Sequence, residues 1–215
     1  MELIRRERVT WAERAAWVGL VLGCVTPLVL QPTPEAVARA YVEAVDRGDV
    51  DAALDLTSTD FVLRSLGGGY YYRRERARPV LEYRAALHER WRVVTWEYDP
   101  AAHAAYAGIE VTNDAWDLVG IRPRLELVLV LRGPRLILEQ PRADPKELRR
   151  ALDPFLAWAA AERPAELARV WARGEPLQRA DAARALVALL EAWRAEGMPA
   201  PEGKPVAERR EGRQP

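Results

Sequence analysis

A chain of 215 residues has room for one generous domain with additions. Its 32 acidic and 32 basic side chains cancel, so no net positive field exists to recruit nucleic acid, and the single cysteine, Cys24, excludes an intrachain disulfide. Beside it stand only His88 and His103, too few for a structural zinc site, and no motif asks for a metal or a cofactor.

Residues 1–14 are charged, and the 16 residues from Ala15 to Leu30 carry no charge at all. A spanning helix wants about 20 apolar residues, which the run approaches if Trp11 and Ala12 join it. Arginines precede it and an uncharged Gln31-Pro32-Thr33-Pro34 follows, an asymmetry that would leave the body outside the cytoplasm. Val21-Leu22-Gly23-Cys24 resembles a bacterial lipobox and makes Cys24 a candidate for lipidation. Three readings stay open: a membrane anchor through residues 11–30 with an extracytoplasmic body, a cleaved signal, or a cytoplasmic soluble protein in which this run packs as a core helix.

Thr33-Pro34-Glu35 opens a helix with an N-cap, a proline at the first position and an acid in the first turn. Val37, Ala40, Tyr41, Ala44 and Val45 form its apolar stripe, and Arg47-Gly48-Asp49 stops it. Asp51–Thr57 reads as a second short helix, and Asp60-Phe61-Val62-Leu63 starts a strand. This opening, PEAVARAYVEAVDRGDVDAALDLTSTDFV, resembles the NTF2-like superfamily and its SnoaL-like branch. The resemblance covers residues 33–142. It implies an α+β fold, a cone made by a curved antiparallel sheet packed on N-terminal helices, with a homodimer through the sheet. It leaves function open, because that fold hosts isomerases, hydrolases, dehydratases, cyclases and non-catalytic binders.

Gly67-Gly68-Gly69 lacks the Lys-Ser/Thr of a phosphate loop and reads as a flexible connection, with Tyr70, Tyr71 and Tyr72 packing nearby. Residues 73–78 read as a solvated charged segment, and Pro79 to Trp91 as the third helix, with Val80, Tyr83, Arg84 and Leu87 on one side. Arg92–Tyr98 alternates as a strand, and Ala104–Leu118 as a longer one. From Arg124 to Gln140 the clearest signal of the chain appears. Leu125, Leu127, Leu129 and Leu131 keep a two-residue period, Gly133-Pro134 interrupts it, and Leu136-Ile137-Leu138 resumes it, which together predict a hairpin.

Residues 143–197 read as helices that extend the domain and pack on the cone. One opens at Asp144-Pro145 and restarts at Asp153-Pro154. Another runs from Pro164 through Trp171 to Gly174. The last is capped by Asp181, with Ala182, Leu186, Leu189, Leu190 and Trp193 on one stripe. Residues 198–215 hold four prolines and seven charges in 18 positions and read as a disordered tail.

Catalytic relatives of such a fold place a carboxylate in a dry pocket, where its pKa rises and it can act as a base. The strand carboxylates here are Glu97, Glu110, Asp114, Asp117, Glu126 and Glu139, and no spacing among them forces a matched catalytic set. Asp114 and Glu126 are the candidate bases, with Trp96, Tyr98 and Trp116 as candidate walls of a ligand pocket. The uncharged N-terminal run and the missing catalytic set therefore favour a non-catalytic NTF2-like module, membrane-tethered, that binds a small apolar ligand or a protein partner. The alternative is a cofactor-independent isomerase, dehydratase or hydrolase with a pocket carboxylate as its base.

Overall fold

The structure, a computed structural model, describes residues 31–66, 70–143 and 145–197. Helix α1 (Pro34–Asp46) begins where Thr33 Oγ1 accepts from the Ala36 amide at 3.2 Å. It ends at Gly48, whose φ of 69° suits a residue without a Cβ. Asp49 then caps α2 (Val50–Asp55) by accepting from the Ala52 amide at 3.0 Å. Strands β1 (Thr57–Arg64) and β2 (Tyr71–Arg73) precede α3 (Arg74–Ala86). Next come β3 (Arg90–Asp99), β4 (Ala104–Thr112), α4 (Asp114–Val119), β5 (Arg124–Arg132) and β6 (Arg135–Arg142). The C-terminal part holds α5 (Pro145–Glu162), α6 (Pro164–Val170), a two-residue hairpin of β7 (Trp171–Ala172) and β8 (Glu175–Pro176), and α7 (Ala180–Ala195).

Six strands form one sheet in the order β2-β1-β6-β5-β4-β3. All neighbours are antiparallel except β1 and β6, which run parallel, so the expected antiparallel sheet is a mixed one. β6 pairs with β1 only after all the elements between them have passed, which is why sequence adjacency does not disclose it. Register shifts lie between Thr57 and Val62, between Val93 and Thr95, and between Val130 and Leu131. Val94 and Ile137 are the single extra residues at the last two, the first skips a longer stretch of β1, and such irregularities bend the strands.

The β5–β6 hairpin forms as its alternation predicts, with Leu125, Leu127, Leu129 and Leu131 buried and Gly133 at φ 56° in the turn. The expected strand Ala104–Leu118 is shorter. It ends at Thr112, where Asn113 accepts from the Trp116 amide at 2.8 Å and caps α4. Helix α3 starts five residues ahead of Pro79, so the charged segment 73–78 belongs largely to it. Three contacts carry this early start: Ala77 is fully buried, Arg74 donates to Thr57 Oγ1 at 3.1 Å, and Arg78 meets Asp51 at 2.7 Å. Pro154 lies inside a continuous α5 rather than restarting it, and Trp171 leaves the helix for the small hairpin. Arg179, not Asp181, is the N-cap residue of α7, and Asp181 sits in the first turn and pairs with it at 3.1 Å.

Two apolar clusters hold the chain. The first joins α1, α2 and α3 to the concave side of the sheet, with Tyr41, Phe61, Leu63, Ile109, Leu127, Leu129 and Leu136 at its centre. The second joins Tyr83 and Leu87 near the end of α3 and Ala115 and Val119 of α4 to Phe155, Trp158, Leu186, Leu190 and Trp193. Phe155 meets Trp193 edge-on at 5.8 Å. A large aromatic buried this way contributes area burial plus about 0.5–1.5 kcal/mol of pair geometry.

Candidate functional site: a cavity between two cores

A cavity of about 430 Å³ lies where the two clusters meet. Leu63, Val80, Val111 and Leu125 line it from the first cluster. Leu87, Ala115, Leu186 and Leu190 line it from the second, and Leu152, Leu156 and Trp171 pack against that cluster and join the wall. The size falls within the range of small-molecule pockets, and the wall is predominantly apolar.

The floor is polar and closed upon itself. Glu139, fully buried on β6, accepts from Tyr41 Oη through Oε2 and from Arg84 Nη1 at 2.7 Å through Oε1. Arg84 reaches Glu89 with its Nε at 3.7 Å and stands 5.3 Å over the Trp91 ring. Glu89 also accepts from Trp91 Nε1 at 2.8 Å and from Asn113 Nδ2 at 3.3 Å. Arg84, Glu89, Trp91 and Asn113 line the cavity, while Tyr41 and Glu139 lie behind them. Burial, reinforced by the charge of Glu139, pushes the Tyr41 hydroxyl well above the usual tyrosine range, although Arg84 opposes it. Burial alone would weaken the Arg84 guanidinium as a cation. The charges of Glu139 and Glu89 outweigh that and hold its proton more tightly than usual. The floor is thus a set of ions and donors whose partners are all internal, with no free acid poised as a base.

The wall formed by β1 and the small hairpin differs. Arg64, the last residue of β1, lines the cavity, and its Nε is buried with no hydrogen-bond partner. Its guanidinium sits 5.0 Å over the Tyr71 ring. Glu175 of β8 also lines the cavity, and burial raises its carboxyl above the usual range. Tyr72 lies beside it, its hydroxyl raised by burial first and by the charge of Glu175 next.

The residues singled out from sequence are spread over the molecule. Asp114 is in the first turn of α4, half-exposed, and its Oδ2 lies 2.7 Å from His88 Nδ1. Glu126 is exposed on β5 and lies 3.8 Å from Arg142. Neither lines the cavity. Trp96 donates to Glu35 at 3.0 Å beneath Arg39, and Tyr98 packs on the edge of the first cluster. Of the three aromatic candidates, Trp116 lines the cavity. Cys24 and the run 11–30 lie outside the described residues, as do the triple glycine and the tail from 198. Among the described residues no three of His, Cys, Asp and Glu converge as a metal site, and no helix is long and apolar enough to cross a membrane.

Sequence reasoning missed Glu89, Asn113, Arg64 and Glu175 as site residues. One signal was present for the floor. Ala77, Val80, Leu81 and Arg84 fall at i, i+3, i+4 and i+7 of α3, so a lone arginine occupies the apolar stripe. A charge in that position announces a buried partner.

No family model matches the chain, and no curated protein matches it. Solved structures do. An NTF2-like protein of unknown function from Cytophaga hutchinsonii is 13% identical with a TM-score of 0.47, over 57% of this chain and 99% of that one. A candidate polyketide cyclase from Xanthomonas campestris is 17% identical with a TM-score of 0.45, over 54% and 93%. A candidate ketosteroid isomerase from Kribbella flavida is 13% identical with a TM-score of 0.42, over 51% and 76%. The class that fold and cavity define on their own is an α+β pocket protein, its curved sheet extended by a helical cap.

Proposed function

We propose that this chain is a ligand-binding module that holds a small, largely apolar molecule between the sheet and the C-terminal helices. One observation carries this reading: an apolar-walled cavity of about 430 Å³ whose floor charges are already satisfied by one another. A floor of that kind orients a ligand without a reactive group, and the apolar wall supplies the affinity. The expected tether through residues 11–30 and a homodimer through the sheet belong to the same proposal. Fractionation of the full-length chain beside Cys24→Ala tests the tether, and sedimentation tests the dimer.

The test of binding is calorimetric titration of the full-length chain with 1-decanol, a neutral apolar probe. Saturable binding of about one equivalent is the expected outcome, and enlarging Ala115 to Trp within the wall abolishes it. A flat titration sinks the reading.

A second reading, a cofactor-independent isomerase, dehydratase or hydrolase, is favoured by Glu175, the cavity-lining acid whose burial raises its carboxyl. A carboxyl of that kind is a plausible general base. Turnover of any apolar carbonyl substrate that Glu175→Gln removes, and that Asp114→Asn and Glu126→Gln leave intact, would establish it.

A further inference from the structure

We propose that the ligand of this cavity carries a carboxylate, and that Arg64 is the residue that holds it. The proposal rests on the binding reading above and names the chemistry of the ligand.

Two arginines that line the cavity differ in what they touch. Arg84 is held by Glu139 and Glu89. Arg64 has an Nε–H that is shielded from solvent and donates to no partner, and it forms no ion pair with any described acid. A buried N–H without an acceptor keeps its full desolvation cost, so such groups in folded chains usually mark a missing partner. The chemistry of that partner follows from the guanidinium. The guanidinium carbon of Arg64 lies over the Tyr71 ring, 5.0 Å from its centroid, and a cation–π contact uses no N–H, so the N–H edge remains for an acceptor. That edge is a fork matched to the two oxygens of a carboxylate.

Glu175 also lines the cavity, and among the described residues no ion pair joins it to Arg64. The remaining wall, with Val80, Leu125, Leu152, Leu156, Leu186 and Leu190, takes an apolar body. The ligand class is therefore a small amphipathic monocarboxylate, its acid at the β1 end and its apolar part against the helices.

The experiment is calorimetric titration of the full-length chain and two variants with sodium decanoate and 1-decanol, both below their aggregation limits. The wild-type chain is expected to bind decanoate about ten- to a hundredfold more tightly than decanol, the increment of a charge-assisted bidentate contact. Arg64→Gln brings decanoate down to the decanol value and leaves decanol within about twofold. Arg64→Lys keeps the charge without the fork and restores only part of the difference. It also serves in place of the Gln variant if circular dichroism shows that one unfolded. Equal binding of both probes by the wild type overturns the proposal while the binding reading stands. A decanoate preference that survives Arg64→Gln overturns it too. Binding of neither probe overturns the binding reading and this inference together.

Discussion

Arg84 and Arg64 line the same cavity, and the fold treats them in opposite ways. Around Arg84 it has assembled two carboxylates, a tyrosine hydroxyl, an indole and an asparagine amide, drawn from α1, α3, β3, β6 and the connections beside them. Beside Arg64 it has placed the ring of Tyr71, and the shielded Nε–H has no acceptor among the described residues. A buried charge with every valence met ties elements together, and removing one member leaves its partner stranded. A charge left unmet at a cavity wall contributes nothing to the folded chain by itself, and is free to gain a partner from outside.

The largest expected effect falls on the met side. Glu139→Ala leaves Arg84 without its shortest contact and should destabilise the chain by about 3–5 kcal/mol in urea unfolding. The double variant Arg84→Met with Glu139→Leu should recover part of that loss, because no guanidinium is then stranded, while Glu89 keeps only its Trp91 and Asn113 donors. A loss below about 1 kcal/mol for the single variant would mean that water reaches the floor and solvates Arg84. Trp193→Ala tests the second cluster on the same scale. Its ring is almost wholly buried against Phe155, so about 3–5 kcal/mol should go, in one transition if the two clusters fold together.

Tyr41→Phe is gentler. It removes one of the two donors to Glu139 and keeps Arg84, so about 1–3 kcal/mol is expected. Arg64→Gln should lie within about 0.5 kcal/mol of wild type, or stabilise slightly, since it removes a half-buried side chain whose shielded Nε–H has no acceptor. If Arg64→Gln proved as damaging as Glu139→Ala, the contrast between the two walls would collapse and Arg64 would be structural.

That contrast was only half legible in the sequence. The hairpin Arg124–Gln140 was plain, because six leucines, Leu125, Leu127, Leu129, Leu131, Leu136 and Leu138, keep a period of two on both sides of one turn. Glu139 was misplaced by the bulge. Leu131 pairs with Leu136 while Val130 pairs with Leu138, so Ile137 is an extra residue. Simple alternation from Leu136 sends Leu138 inward and Glu139 out. The extra residue reverses this and sets Glu139 opposite Leu129 on the buried face. Helix α4 was hidden by an alternation that runs on past Thr112, although Asn113 and Gly120 stood as a cap at each end. The C-terminal stripe from Ala182 to Trp193 was correctly assigned to the inside, since each of its residues is buried. Nothing in that stripe says that the surface it covers leaves a cavity. Voids depend on how two clusters fail to fill the space between them, and a periodicity has no term for that.

The smallest effect belongs to Glu175, and its sign separates the walls once more. Burial raises its carboxyl in the folded chain, so folding binds this proton more tightly than the unfolded chain does. The stabilising share is present at acidic pH, below the ordinary glutamate range. It is lost as pH rises through the raised value, so at neutral pH the ionised side chain is a small burden. Glu175→Gln cannot ionise. It should match the wild type at acidic pH and exceed it at neutral pH, by under about 0.5 kcal/mol because the side chain is only partly buried. Urea midpoints at the two pH values measure this directly. A variant less stable than wild type at neutral pH would show that Glu175 has a cationic partner in the folded chain. The wall would then be as internally satisfied as the floor, and the two arginines would no longer differ in kind.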